Sequence, residues 1–156
     1  MMDIVFLWPG KTKNPGYKAL QEEYLEKISR LARARVIETA EARGLEEKWV
    51  EKIMEKEALG LEKYLEGGYI ICLSDKGREM SSNELARRIE DQALRSGRKL
   101  IFLVGGFLGL APRIMEKADL CLSLSRMTFS HELARVVIME QVYRSLSIIK
   151  GHSYPK

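Results

Sequence analysis

The chain has 156 residues, 46% of them hydrophobic and 31% charged, which suits one domain (1–156) burying roughly two-thirds of its unfolded surface. No apolar run approaches the ~20 residues of a membrane-spanning helix. Met1 and Met2 lead straight into the apolar Ile4–Trp8 with no basic region or cleavage site, so a cytoplasmic protein without a signal peptide is expected. The net charge of +4 and pI near 9.1 are compatible with an RNA partner and do not demand one.

Ile4–Trp8 reads as a buried strand ended by Pro9-Gly10. Asn14 as N-cap and Pro15 in the first turn predict a helix to about Ala34, with Leu20, Tyr24, Ile28 and Leu31 along its apolar stripe. Arg35–Thr39 is a short strand candidate. A second amphipathic helix is expected over Glu46–Glu66, with Trp49, Ile53, Leu61 and Leu65 inward. Tyr69–Leu73 is a buried strand. Ser81 and Glu84 have the spacing of a capping box opening a helix that ends near Gly97. Leu100–Val104 is a strand, Pro112 opens a short helix, Leu120–Leu124 is the last strand, and Ser130 caps a helix from His131 to Ile149. Strands alternating with helices predict an α/β fold, a mainly parallel sheet with helices on both faces.

The final helix is apolar nearly all round, through Val136–Met139, Val142, Tyr143, Leu146, Ile148 and Ile149. Such a helix is buried on most sides, either at a subunit interface, with Val142 an interface position, or as the central helix of a monomer. Cys72 and Cys121 each lie in an apolar run and read as buried thiols. Without CxxC or clustered histidines, no metal site is expected. Gly10-Lys11-Thr12 lacks the earlier glycine of a phosphate-binding P-loop, since Val5 occupies that place. Lys11 and Lys13 could instead contact RNA phosphate or remain a solvated loop.

The most informative segment runs from Leu100 to the end. Gly105-Gly106-Phe107-Leu108-Gly109 follows a strand without dinucleotide spacing, and no acidic residue is placed to hold a ribose. Adjacent glycines nevertheless let a ligand approach the backbone closely. Ligands of open α/β sheets bind at the carboxyl ends of strands, which is where these glycines and the loop after Leu124 fall. His131 opens the last helix, whose dipole disfavours its charged form. Glu140 and Arg144, four apart on an apolar helix, are either a helix ion pair or an arginine fork for phosphate or carboxylate. From Ser123 onward Arg126, Arg135, Arg144, Lys150 and Lys156 face only Glu132 and Glu140, so a polyanion would prefer this end.

The run SRMTFSHELARVVIMEQVYRSLSIIKGHSY, preceded by LIFLVGG and ICLSDKGREMSSNELA, closely resembles the RlmH (YbeA) family of SPOUT-class methyltransferases, over essentially the whole chain. The resemblance implies S-adenosyl-L-methionine-dependent methylation at N3 of pseudouridine 1915 in 23S rRNA, within the ribosome, by a homodimer with a C-terminal trefoil knot. It implies cofactor contacts at Leu73, Gly105, Leu124, Ser125, Arg126, Met127, Thr128 and Phe129. It makes His131, Glu140, Arg144 and Tyr154 candidates for the catalytic step, the arginine and Lys156 positioning the nucleotide. Two departures stand out: Phe107-Leu108 in the glycine loop, and Pro155 where the family's tail has a histidine. A non-catalytic RNA-binding or ribosome-associated protein with a relic cofactor pocket is the competing reading, and a nucleotide-binding oxidoreductase a more distant one.

Overall fold

The computed structural model describes residues 1–42 and 46–154, with the side chain of Glu47 outside the description. Pro155 and Lys156, which entered the sequence reading, therefore lie outside the described residues. Five strands, β1 (Asp3–Pro9), β2 (Arg33–Thr39), β3 (Tyr69–Glu79), β4 (Leu100–Leu103) and β5 (Leu120–Ser123), form one sheet in the order β2-β1-β4-β3-β5. Every pairing is parallel. The helices are α1 (Pro15–Ser29), α2 (Val50–Glu62), α3 (Ser82–Arg95), α4 (Pro112–Met115) and α5 (His131–Ile149). The α/β architecture expected from the alternating pattern is the one observed.

Successive side chains of a strand point to opposite faces, and β1 divides accordingly. Ile4, Phe6 and Trp8 join Ile28 of α1, Ile89 of α3 and Ile138, Met139, Val142 and Leu146 of α5 in one core. Val5 and Leu7 join Ala58 and Leu61 of α2 and Ile114 of α4 in the other. Residues of β1, β3, β4 and β5 are buried, as a parallel sheet covered on both faces requires, while the edge strand β2 is at most half-buried.

Several boundaries move. The first helix ends at Ser29, and the backbone N–H groups of Leu31 and Ala32 turn back onto the Ile28 carbonyl. Arg33 then donates to the Met2 carbonyl, which commits Arg33 and Ala34 to strand pairing before the helical pattern runs out. Within that helix Leu20 is 40% exposed, outside the core. The second helix is shorter than expected, with a 3₁₀ turn at Glu47–Trp49 before it. Trp49 faces outward, under the ammonium of Lys52, 4.5 Å from its ring centroid. All three N-caps read from the sequence form: the Asn14 side chain accepts from the N–H groups of Gly16 and Tyr17, Ser81 and Glu84 make the full capping box, and the Ser130 hydroxyl accepts from Leu133 N–H. Val142 is fully buried in the chain's own core, because α5 packs between α1 and α3 on the sheet. That packing absorbs most of the helix's apolar surface, leaving Ile148 as its exposed large hydrophobe.

The strand that differs most from expectation is β3, which continues six residues beyond Leu73. It pairs with β5 at Ile71–Leu73, breaks register, and pairs again at Arg78 and Glu79. The chain can re-approach because residue 77 is glycine. A Cβ there would lie 2.7 Å from the Cys121 carbonyl oxygen and 2.8 Å from the carbonyl carbon of Leu122. Gly77→Ala should therefore overpack a backbone crossing and lower stability by about 1–3 kcal/mol. Urea unfolding should show an earlier midpoint at unchanged slope; an unchanged midpoint would remove this contact from the account.

Candidate active site

The carboxyl ends of β3, β4 and β5 open into a cavity of about 730 Å³, within the span of about 300–1,000 Å³ usual for small-molecule sites. Leu73, Gly105, Leu124, Ser125, Met127, Thr128 and Phe129, all implied cofactor contacts, line it. Arg126 does not. Its side chain is 90% exposed, with Nε 3.5 Å from Glu79. The loop after β5 is ordered by its own hydroxyls. Ser123 Oγ donates to the Ser125 carbonyl at 2.8 Å, Met127 N–H donates to Ser125 Oγ at 3.0 Å, and Thr128 Oγ1 donates to Asp75 Oδ2 at 2.9 Å.

The glycine loop supplies close backbone approach. A Cβ on Gly105 would sit 2.6 Å from the Gly109 carbonyl carbon and 2.8 Å from Leu110 N. The loop is closed by a short bridge between Gly106 and Gly109, whose φ of 82° suits glycine. Phe107 and Leu108, the variable pair of this loop, also line the cavity, so the departure noted in the sequence adds apolar wall.

The four catalytic candidates divide into two groups. His131 lines the cavity. Burial, then the charge of Arg135, lowers its pKa below the usual imidazole value, so the ring is neutral near pH 7. Glu140, Arg144 and Tyr154 form a separate cluster. Arg144 Nε and Nη2 donate to Glu140 Oε1 at 3.2 and 2.9 Å, Tyr154 Oη donates to the same oxygen at 3.1 Å, and the guanidinium lies 4.4 Å from the Tyr154 ring centroid. Burial, then Tyr24 and Glu140, raises the Tyr154 pKa well above the usual phenol range. Its hydroxyl is therefore a donor and not a base. Nine residues separate His131 from Glu140 on one helix, roughly 13 Å along its axis at 1.5 Å per residue.

Sequence reasoning counted Arg135 among residues for a polyanion, but it is only 1% exposed. Its Nη1 donates to Thr12 Oγ1 at 2.9 Å and its Nη2 to the Pro9 carbonyl at 2.8 Å, and the guanidinium stacks over Trp8. Burial lowers its pKa to about 10, which leaves it cationic at neutral pH. One turn earlier, Glu132 accepts from the N–H groups of Lys13 and Asn14, both at 3.0 Å. Burial opposes its ionisation, but these backbone bonds, with Arg135 and His131, hold its carboxyl below the usual range. Together the two side chains fasten the β1–α1 loop to the start of α5, beside His131. The signal in the sequence was a charged residue on a helix with no polar face.

Gly105→Val should close the cavity by driving the loop apart, and titration calorimetry should then register S-adenosylmethionine binding at least tenfold weaker, about 1.4 kcal/mol. Wild-type affinity in this variant would place the ligand elsewhere.

Comparison with known proteins places the chain in a family. Residues 2–155 match the family described as "Predicted SPOUT methyltransferase". The chain is 38% identical to the ribosomal RNA large subunit methyltransferase H of Carboxydothermus hydrogenoformans, covering 99% of this chain and 100% of that one. It is 36% identical to the protein of the same name from Bifidobacterium animalis subsp. lactis, with the same coverage. Among solved structures, a probable methyltransferase from Bordetella pertussis Tohama I shares the fold at TM-score 0.58 and 11% identity, over 93% of this chain and 96% of that one. A ribosomal RNA small subunit methyltransferase E from Neisseria gonorrhoeae, bound to S-adenosyl methionine, does so at 0.52 and 10% identity, over 95% and 67%. The chain belongs to the SPOUT methyltransferase family.

Proposed function

We propose that this chain, acting as a single domain, is an S-adenosylmethionine-dependent methyltransferase of large-subunit ribosomal RNA that methylates N3 of pseudouridine 1915. The observation that carries the reading is the cavity at three parallel strand ends, with the Gly105–Gly109 loop on one wall and the neutral His131 on another. Its residues suit the cofactor. Leu73, Leu110, Met127 and Phe129 offer apolar surface to the adenine, and the glycine loop brings backbone groups close. The relatives named as large-subunit rRNA methyltransferases match essentially end to end, which supports an rRNA substrate.

Bound there, S-adenosylmethionine supplies an electrophilic methyl group on a sulfonium. The protein's task is alignment and proton removal, because an imide nitrogen attacks only as its proton leaves. His131, neutral and on the cavity wall, can accept that proton. The Glu140–Arg144–Tyr154 cluster suits holding the nucleotide, with Arg144 as a fork for phosphate and Tyr154 as donor and stacking surface. One chain keeps the two groups apart along α5, so the working enzyme is a homodimer in which the tail of one copy meets the cavity of the other. Leu20 and Ile148, 40% and 41% exposed on the two helices joined at the Tyr24–Tyr143 contact, offer apolar surface for that association.

Arg144→Ala and Tyr154→Phe should keep cofactor affinity near wild type. Methyl transfer to ribosomes lacking this modification should fall at least tenfold, about 1.4 kcal/mol of barrier. The salt dependence of ribosome binding should also weaken in the arginine variant. Normal methylation by both, or a parallel loss of cofactor affinity, would reject the division of roles. Transfer to another nucleotide would reject the pseudouridine assignment.

A further inference from the structure

Resting on the cofactor reading above, we propose that Asp75 and Lys76 bind the zwitterionic amino-acid end of S-adenosylmethionine, Asp75 pairing with its ammonium and Lys76 with its carboxylate. The two are consecutive in the stretch of β3 that leaves register with β5, and both line the cavity. Among the described residues, Asp75 is the cavity's one carboxylate and Lys76 its one lysine or arginine. The remaining wall is apolar side chain, glycine and hydroxyl, apart from the neutral His131. Neither charge is matched inside the chain, because among the described residues neither side chain has an ion-pair partner. Asp75 accepts one hydrogen bond, from the Thr128 hydroxyl, on Oδ2. That leaves Oδ1 and further lone pairs on the carboxylate for a ligand.

The segment is fixed in place before any ligand arrives. Lys76 N–H donates to Ser74 Oγ at 3.2 Å, and Ser123 Oγ lies 3.3 Å from the Asp75 carbonyl. One residue further on, Gly77 lies against the backbone of Cys121 and Leu122. A surface stretch of strand carrying two unmatched opposite charges is thus pinned from both sides at the mouth of a cavity, which lowers the ordering cost of binding a ligand of matching charges. The cofactor's amino-acid end carries one positive and one negative group, and its adenine end carries neither.

The test is calorimetry with three probes on wild type, Asp75→Asn and Lys76→Gln: S-adenosylmethionine, S-adenosylhomocysteine and 5′-methylthioadenosine, which has no amino-acid end. Asparagine retains an acceptor for Thr128, so the loop tether survives the substitution. Each variant should weaken both amino-acid-bearing probes alike, by about three- to fivefold as for exposed ion pairs, and leave methylthioadenosine within twofold. The wild-type advantage should shrink as salt is raised. A loss confined to S-adenosylmethionine would move the contact to the sulfonium and overturn the assignment. An equal loss for all three probes would make these residues props of the loop, and no loss would remove them from the site. Failure of the wild type to bind any probe would instead overturn the cofactor reading itself.

Discussion

Two places where backbone lies against backbone more closely than a methyl group permits determine the site. At Gly77 the outgoing end of β3 presses on Cys121 and Leu122 of β5. At Gly105 the chain leaving β4 presses on its own return at Gly109 and Leu110. A parallel sheet ordinarily sends each strand's exit loop away over the surface. Here glycine lets the exits of β3, β4 and β5 fold onto one another, and the space they enclose is the cavity. The SPOUT family to which the chain belongs implies a C-terminal trefoil knot, and a knotted chain departs from the usual rules of connection.

The remaining wall depends on α5, whose first turn is held by charges that would be costly elsewhere. A buried guanidinium is stabilising only when its hydrogen bonds are met. Arg135 spends its two terminal nitrogens on Thr12 and the Pro9 carbonyl, while among the described residues its Nε has no hydrogen-bond partner. Glu132 adds the N–H groups of Lys13 and Asn14. The result is a rigid junction between the first strand's exit and the histidine on the cavity wall. Glu57, buried beside Gly106 and pushed above the usual carboxylate range chiefly by that burial, supports the glycine loop from the other side. Both supports come from residues whose charge would suggest solvent.

Much of this was legible in the residues. Alternating apolar runs and caps such as Asn14, Ser81 and Ser130 located the elements, because capping is a local interaction between neighbours in sequence. The glycine pair after β4 marked a ligand-facing turn for the same reason. What the chain order concealed was long-range. Nothing local tells that Arg135 meets Thr12, 123 residues away, or that β3 rejoins β5 after Leu73. The apolar girth of α5 suggested a partner subunit, yet two neighbouring helices and the sheet account for most of it. Asp75 and Lys76 lie beyond the apolar run that ends at Leu73, and it is the register break that places them on the cavity wall.

The central claim is that three strand ends and the start of α5 form one ligand site. Hydrogen exchange read by mass spectrometry, with and without saturating S-adenosylmethionine, tests it most directly. The account predicts slowed exchange in residues 73–76, 104–110 and 124–131, with α2 unchanged. Slowing confined to α2, or no change in these three segments while the ligand is bound, would contradict it.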